Sequence, residues 1–275
     1  MHVSVIGNVC LDLVIKTDKL PSCEEDLPAK IVPCIGGNAA NSAIILSKLG
    51  AETTLHSKIG NDIIGKHLIN EIENSNVTSK METSKQRTAI TLCFSQCKER
   101  SFLYDPGATN EFTIDDLDME EIMKSDAVFV TGYSYLKNLS VMDLFKKAQE
   151  NGLLTIFDPC PGRDVSEELK YTDILFANEN EIKELSEINV KIVVIKKGAD
   201  GCMAKINNKE IECKPINVDV VDTTGAGDAF NAGFIYKYLQ TNNVEKAANF
   251  ANKIGAINVT KIGAANITKE IEGIV

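Results

Sequence analysis

The sequence VDVVDTTGAGDAFNAGFIYKYL occupies residues 218–239 and joins three patterns in one run. Residues 218–221 are mostly valine, as in a buried strand, and residues 229–239 are apolar over the length of a helix. Between the two lies the glycine-rich segment DTTGAGD, residues 222–228. Strand, tight turn and helix in this order are typical of folds in which helices pack on a sheet. The stretch therefore predicts an α/β protein.

The glycine-rich turn has the properties of an anion site. Gly225 and Gly227 let the backbone approach a ligand closely, and the amides and dipole of the following helix favour negative charge. Asp228 stands where an anion should bind, which makes sense if it accepts a proton from a hydroxyl that attacks a bound phosphoryl group. The alternative is a helix-capping aspartate beside a glycine turn. The full seven-residue string favours the chemical interpretation.

The rest of the chain repeats the alternation of strand and helix patterns. Runs that predict strands buried on both faces occupy residues 3–6, 54–57, 127–131, 153–157, 174–176 and 192–195. Amphipathic stretches that predict helices occupy residues 39–49, 63–73, 141–151, 226–239 and 244–258. We therefore expect a mostly parallel sheet flanked by helices.

Two segments, residues 27–35 and 88–96, alternate apolar and polar residues with period two instead. This pattern predicts antiparallel strands with one buried face. Both segments adjoin polar turns, so we expect a small sheet, here called the lid, that stands off the main body and covers a site. The sequence has no internal repeat and no long linker. We expect a single domain over residues 1–275, with lid strands inserted at about 12–35 and 87–104.

Composition and charge exclude several classes of partner. The chain has 275 residues and a formal net charge of −10, so it offers no basic surface to nucleic acid or to an anionic membrane. No apolar run reaches the ~18 residues of a membrane span, and polar Asn8 and Asp12 interrupt the first apolar stretch, so we expect no signal peptide. The eight cysteines include no CxxC pair. We interpret them as reduced thiols of a cytoplasmic protein.

A second cluster, GGNAAN at residues 36–41, follows a predicted lid strand and opens a predicted helix. Gly37 leaves room for a ligand, and Asn38 and Asn41 offer neutral hydrogen bonds suited to sugar hydroxyls. Asp12 could join this pocket as an acceptor for two hydroxyls. A glycine turn with an asparagine cap, and a solvated aspartate at a strand end, are the structural alternatives.

A third signal, Asn178 and Glu181, follows the buried run 174–176. An amide and a carboxylate at the end of a parallel strand can hold a hydrated Mg²⁺ and its phosphates. Asn-x-x-Glu is also a helix capping box without any metal. The sequence GNDIIGKH at residues 60–67 comes close to a P-loop, but His67 lacks the hydroxyl that ligates Mg²⁺. We interpret it as a turn into a helix.

These motifs, in this order, resemble the ribokinase, or phosphofructokinase B, family of ATP-dependent carbohydrate and nucleoside kinases, nearly end to end. Residues 222–228 and 36–41 resemble its two signatures, and residues 60–65 its G-x-D-x-x-G turn. The resemblance implies a three-layer ribokinase-like α/β sandwich with a β lid. It also implies transfer of the ATP γ-phosphoryl group to a primary hydroxyl of a sugar.

The resemblance further implies roles for individual residues. Asp228 would be the base, the amides of Gly225, Ala226 and Gly227 the anion hole, and Asp12, Gly37, Asn38 and Asn41 the sugar site. Asn178 and Glu181 would organise Mg²⁺ and phosphates, Lys196, Gly198 and Gly201 would line the nucleotide, and Asn252 would approach the adenine. Asp222 and the Thr224 carbonyl would face a monovalent cation such as K⁺. A homodimer through the lid is a further expectation.

The departures from the family concern the acceptor. Ribokinase itself tends to have Asn where this chain has Cys10, and Lys-Gly where it has Asn38-Ala39. Arg87 and Arg100 flank the lid strand 88–96, and Arg163 follows a strand end, so a phosphorylated acceptor stays open beside a sugar or a nucleoside. A non-catalytic nucleotide-binding protein of the same fold is the remaining alternative. A dinucleotide-dependent oxidoreductase is disfavoured, because Gly7 is not followed by G-x-G-x-x-G.

Overall fold

The computed structural model describes residues 1–17, 19–96, 99–185, 188–207 and 209–265, with the backbone alone for residues 95, 96, 99 and 100. Cys97, one of the eight predicted thiols, lies outside the described residues. Within these ranges the strands are β1 (His2–Gly7), β2 (Cys10–Lys16), β3 (Lys30–Gly36), β4 (Glu52–Gly60), β5 (Thr78–Ser84), β6 (Ile90–Gln96), β7 (Glu99–Asp105), β8 (Ala127–Thr131), β9 (Leu154–Asp158), β10 (Ile174–Asn178), β11 (Ile192–Lys196), β12 (Cys202–Ile206) and β13 (Lys209–Cys213). The α-helices are α1 (Asn38–Lys48), α2 (Ile63–Glu73), α3 (Met119–Ile122), α4 (Met142–Glu150), α5 (Ser166–Leu169), α6 (Glu181–Glu184), α7 (Ala226–Thr241) and α8 (Val244–Asn258).

The main sheet has nine strands in the order β13-β12-β11-β10-β9-β8-β1-β4-β5. All neighbours from β11 to β5 are parallel, and the edge strands β12 and β13 are antiparallel. The parallel strands are buried on both faces, which explains their continuous apolar sequences. The predicted mostly parallel sheet is confirmed.

Two apolar clusters bury the faces of this sheet. One cluster joins β1, β4 and β10 to α1, α2, α7 and α8, and the other joins β8, β9 and β11 to α4 and α5. The three-layer sandwich is therefore confirmed. Its parallel strands end on one edge, where ligand sites of open α/β sheets lie. None of the described helices is both long and apolar enough to cross a lipid bilayer.

The lid is a four-stranded sheet in the order β3-β2-β6-β7. The prediction of purely antiparallel strands was wrong at its centre, since β2 and β6 run parallel. This pairing joins two segments that are distant in the chain, so local sequence patterns carry no sign of it.

The strand predicted at residues 218–221 is absent, and these residues form an extended connection without a strand partner. Val220 and Val221 are 62% and 52% exposed. The amides of Val221 and Asp222 both donate to the Val259 carbonyl rather than to a strand. The apolar sequence therefore serves another purpose, described below.

Candidate active site

The glycine-rich turn separates two pockets. The first, here called the lid pocket, lies between the lid, α1 and the start of α7 and has a volume of about 210 Å³. The second, here called the helix pocket, lies between the end of β11, residues 215–220, α7 and α8 and has a volume of about 330 Å³. Gly225 and Asp228 line the lid pocket, whereas Ala226 and Gly227 line the helix pocket. Two ligands would therefore meet at this turn.

Of the two glycines in the turn, Gly225 and Gly227, only Gly225 is required by the backbone conformation. Gly225 has φ +69°, and a Cβ there would lie 2.3 Å from the Ala264 Cβ. The Ala226 amide donates to the Thr223 carbonyl at 3.2 Å, so one of the three amides expected in the anion hole already has a partner. The amides of Gly225 and Gly227 stand where a helix leaves donors without intrahelical partners.

Asp228 is 6% exposed and faces the lid pocket. Its Oδ1 accepts from Asn38 Nδ2 at 3.0 Å, and its Oδ2 accepts from Asn41 Nδ2 at 2.8 Å. Burial raises the pKa of Asp228 to about 6, while the two amide hydrogen bonds lower it and the nearby Asp158 charge adds to the increase. The carboxylate is ionised at neutral pH and is a stronger base than an exposed aspartate.

The lid pocket brings together the residues predicted for the sugar. Asp12 lies within β2, opposite Cys34 of β3, and Cys10 Sγ donates to its Oδ1 at 3.2 Å. Burial raises the pKa of Asp12, against the hydrogen bonds from Cys10 and Thr91. Gly37 has φ +95°, and a Cβ there would lie 2.3 Å from the Asn8 carbonyl oxygen.

One wall of the lid pocket is aromatic. Phe102 and Tyr104 of β7 line it together with Tyr135, and the rings of Tyr104 and Tyr135 form an edge-to-face pair at 5.1 Å. Phe102 is 54% exposed on this wall. The sequence analysis placed residues 87–104 in the lid but did not assign these three residues to the pocket, because no local motif marks them.

The helix pocket collects the residues predicted for the nucleotide. Lys196, Gly198, Gly201, Gly227 and Asn252 all line it. Its remaining wall is largely apolar and includes residues 215, 216, 218 and 220, which explains the exposed valines of the predicted strand. An apolar slot with a single ammonium suits a flat ring joined to phosphates.

The four remaining predicted ligands make hydrogen bonds within the protein. Asn178 N donates to Glu181 Oε2 at 2.7 Å and Glu181 N donates to Asn178 Oδ1 at 2.9 Å, which is the capping box weighed in the sequence. Asp222 Oδ1 accepts from the Thr224 amide at 3.0 Å and its hydroxyl at 2.8 Å. The Thr224 carbonyl accepts from Asn258 Nδ2 at 2.8 Å. Asn178 ends β10 and Glu181 begins α6, whereas Asp222 and Thr224 lie in the turn before α7.

A family model described as pfkB family carbohydrate kinase matches residues 1–271. The chain belongs to this family. It is a phosphotransferase that acts on a sugar hydroxyl, and the resemblance seen in its motifs is confirmed.

Individual relatives of this kinase cover most of its length. An uncharacterized sugar kinase of Archaeoglobus fulgidus is 33% identical over 236 residues, which cover 78% of this chain and 94% of the relative. An ATP-dependent ribose-1-phosphate kinase of Halopiger xanaduensis is 29% identical over 91% of this chain and 89% of its own. The crystal structure of a ribokinase from Thermotoga maritima superimposes with a TM-score of 0.86 at 26% identity and covers 98% of both chains.

Behind the turn of this kinase lies a polar network that sequence analysis did not assign. Asp158, at the end of β9, is 2% exposed and pairs with Lys196 Nζ at 2.7 Å. Asn231 of α7 also donates to Asp158 Oδ2. The one available signal was the position of Asp158 after the buried run 153–157.

The arginines of the kinase do not line either pocket where their side chains are described. Arg87 pairs with Asp105 at 2.7 Å and is largely exposed. Arg163 stacks on the Tyr133 ring at 3.8 Å and donates to the carbonyls of Leu136 and Leu139 at 2.8 and 3.1 Å. The side chain of Arg100 lies outside the described part of the protein. The near P-loop at residues 60–67 forms a turn into α2, as predicted, and the structure shows Asp62 as the cap of this helix.

Proposed function

We propose that the kinase transfers the γ-phosphoryl group of ATP to a primary hydroxyl of a sugar held in the lid pocket. The observation that carries this proposal is the position of Asp228. Its carboxylate faces the lid pocket, and the turn that precedes it opens onto the helix pocket. This arrangement brings a base, an alcohol and a terminal phosphate to one point.

The reaction follows from these positions. Asp228 accepts the proton of the acceptor hydroxyl while the hydroxyl oxygen forms a bond to the γ-phosphorus of ATP. The bond between the γ-phosphorus and the oxygen that bridges it to the β-phosphate breaks, which releases ADP. The turn amides and the N-terminal end of α7 stabilise the negative charge on the transferring group. Asp12, Asn38 and Asn41 hold the other hydroxyls. The lid limits the access of water and thereby the hydrolysis of ATP.

We propose Mg²⁺ as the partner of the nucleotide phosphates, with Asn178 and Glu181 as the residues that would hold it. Burial and the Asp158 charge raise the pKa of Glu181, so a divalent cation would relieve the cost of its ionisation. Mg²⁺ in nucleotide sites keeps several of its waters and binds mainly to the phosphates, so it needs only one or two oxygen ligands from the protein. The described residues contain no group of three or more acidic, His or Cys side chains arranged for a metal. The ion would neutralise phosphate charge.

The monovalent cation stays a prediction. Asp222 is buried and Thr224 is half-buried in the same turn. Asp222 Oδ2 accepts from the Gly263 amide, and the Thr224 carbonyl accepts from Asn258 Nδ2. Carboxylate and carbonyl oxygens are the ligands that hard cations prefer. Comparison of turnover in K⁺ with turnover in a bulky organic cation at equal ionic strength tests this assignment.

A nucleoside is a second candidate for the acceptor. The aromatic wall of Phe102, Tyr104 and Tyr135 offers apolar area that a free pentose cannot cover, whereas a base stacked there would bury it. The Halopiger relative's name suggests a sugar phosphate instead. Two carboxylates, Asp12 and Asp228, and no lysine or arginine line the lid pocket among the described residues, which disfavours an anionic acceptor.

An ADP-release assay across pentoses, hexoses, their phosphates and nucleosides tests the proposal. We expect ADP release that depends on an uncharged acceptor, with phosphate on its primary hydroxyl in the isolated product. ATP hydrolysis that no acceptor increases would remove the assignment and leave a nucleotide-binding protein.

We also propose a cytoplasmic enzyme that forms a homodimer through the lid. Cys10 and the other cysteines whose state is described form no disulfide, which suits a reducing compartment. The face of the lid turned away from the pocket carries an apolar row across all four strands, Pro33, Leu13, Leu92 and Leu103. In this row Pro33 and Leu103 are exposed and Leu13 and Leu92 are half-buried, and an apolar patch of this kind is typical of an interface.

A further inference from the structure

Three residues tie two strand ends to the helix that carries the base. Asp158 ends β9, Lys196 ends β11 and Asn231 lies one turn after Asp228 on α7. Lys196 Nζ and Asp158 Oδ2 are 2.7 Å apart, and their side chains are 17% and 3% exposed. Asn231 donates to the same oxygen and is itself fully buried. The ends of β9 and β11 and one residue of α7 therefore fix the position of the ion pair.

The ammonium of this pair faces the proposed nucleotide. Lys196 is the one charged side chain among the described residues that line the helix pocket. Its Nζ lies 3.7 Å from the position that a Cβ on Gly227 would take. The charge of Lys196 thus stands beside the amides that would receive the terminal phosphates, where a charge-assisted hydrogen bond is strong.

A buried ammonium needs a partner to remain charged. Burial alone favours the neutral amine of Lys196, but the neighbouring acidic groups, Asp158 foremost, raise the pKa of Lys196 overall. The other titratable groups that act on it are Glu181 from α6, Cys160 from the loop after β9 and Asp228 from α7. Of these, only Asp158 is in direct contact.

We propose that Asp158 is a positioning residue of the nucleotide site, which holds the Lys196 ammonium charged and aimed at the phosphates beside Gly227. The inference rests on the proposed function, because it assumes that nucleotide phosphates occupy the helix pocket. Asp158 itself does not touch the nucleotide and acts through Lys196. Its neutral analogue would leave the lysine without the one carboxylate that it contacts, and the lysine would then lose its proton at lower, moderately alkaline pH.

Calorimetric titration of the full chain with Mg²⁺ and the non-hydrolysable analogue AMP-PNP, from pH 7.5 to 9.5, tests the inference. The variants are Asp158→Asn, Lys196→Met, Lys196→Arg and Asp158→Asn combined with each lysine variant. The matched control is Asp116→Asn, because Asp116 forms an ion pair with Lys58 of the same 2.7 Å length away from both pockets. Circular dichroism and thermal melting establish that each variant is folded.

We expect the affinity of the wild type and of Asp116→Asn to change less than about twofold over this range. Asp158→Asn should lose affinity by about tenfold as the pH rises, the effect of one charge-assisted hydrogen bond. Lys196→Met should bind weakly at every pH, and adding Asp158→Asn to it should change nothing more. Arginine at position 196 keeps its charge and should abolish the pH dependence that Asp158→Asn introduces.

Two results would overturn the inference. The first is an AMP-PNP affinity of Asp158→Asn that does not vary with pH. The second is a loss of AMP-PNP affinity on Asp158→Asn that is as large in the Lys196→Met background as in the wild type. Because the titration measures binding alone, it is separate from the assay of phosphoryl transfer. Nucleotide binding with the expected pH dependence but no product would refute the proposed function and leave the role of Asp158 in place.

Discussion

In the proposed reaction, the chemistry depends on Asp228. We expect Asp228→Asn to lower kcat by about 10² to 10⁴, because general-base catalysis contributes about that factor. The affinity for AMP-PNP should change little, since the carboxylate faces the lid pocket rather than the helix pocket. Steady-state kinetics and calorimetry measure the two quantities, with Asp116→Asn as the control. Near-normal turnover in Asp228→Asn would remove the base assignment.

The same residue sets the acid side of the pH profile. The pKa of Asp228 in the fold is raised to about 6, above the ordinary value of an aspartate. Below that pH the carboxylate is protonated and cannot accept the acceptor's proton, so kcat/KM should fall about tenfold for each further pH unit. Measurement of kcat/KM for the acceptor from pH 4.5 to 8 locates this limb. A limb near pH 4 would indicate an exposed, ordinary aspartate.

Sequence reasoning identified candidate residues that lie together where the motifs are local. Asn38, Asn41 and Asp228 stand in short strings whose spacing implies a shared pocket, and the structure places them within hydrogen-bond distance. Asp158 and Tyr135 were not assigned, because each is a single residue that the fold brings to the site from a distant strand end. The contacts of Asp158 with Lys196 and of Tyr135 with Tyr104 form only in the folded chain, so the sequence does not show them.

At the scale of one element, the two glycines at the start of α7 have different surroundings. An alanine at Gly225 would adopt φ +69° and meet Ala264 Cβ at 2.3 Å, whereas an alanine Cβ at Gly227 has only Lys196 Nζ near it, at 3.7 Å. We expect Gly225→Ala to lower the free energy of unfolding by about 1 to 3 kcal/mol. Gly227→Ala should keep or slightly raise that stability but weaken nucleotide binding, because its methyl group enters the helix pocket.

Urea denaturation and calorimetry with AMP-PNP separate these two effects. Equal losses of stability in the two alanine variants would contradict the assignment of Gly225 as the conformational glycine. An unchanged affinity in Gly227→Ala would instead move the phosphates away from α7.

Elements with strong periodicity were predicted with nearly correct bounds, and those without it were missed. Helices α2 and α8 match their predicted ranges because their apolar faces are continuous. Strands β12 and β13 were not predicted, because the edge of the sheet carries mixed polar sequences such as KEIEC. The valines at 218–221 produced the opposite error, since they wall a pocket rather than join a sheet.

At the scale of the whole molecule, the lid has apolar side chains on both faces. One face lines the pocket through Phe102, and the other exposes Ile31 and Leu103, which are 56% and 62% accessible. A sheet that covered only its own active site would need no apolar outer face, because solvated faces of antiparallel pairs are polar. The outer face is therefore where we expect the second copy of the chain, and this surface depends on the β2–β6 pairing that local patterns did not reveal.

The proposed homodimer makes a prediction for sedimentation velocity. The wild-type chain should sediment as a dimer at micromolar concentration, whereas Leu103→Lys or Ile31→Lys should sediment as a monomer, because each places a charge in an apolar interface. Ile63→Lys is the matched control, since Ile63 is 87% exposed on α2 and lies outside the lid. A monomeric wild type, or a dimer that all three variants retain, would refute the interface. Because Leu103 and Phe102 are neighbours on β7 with opposite orientations, dissociation should also raise the KM for the acceptor.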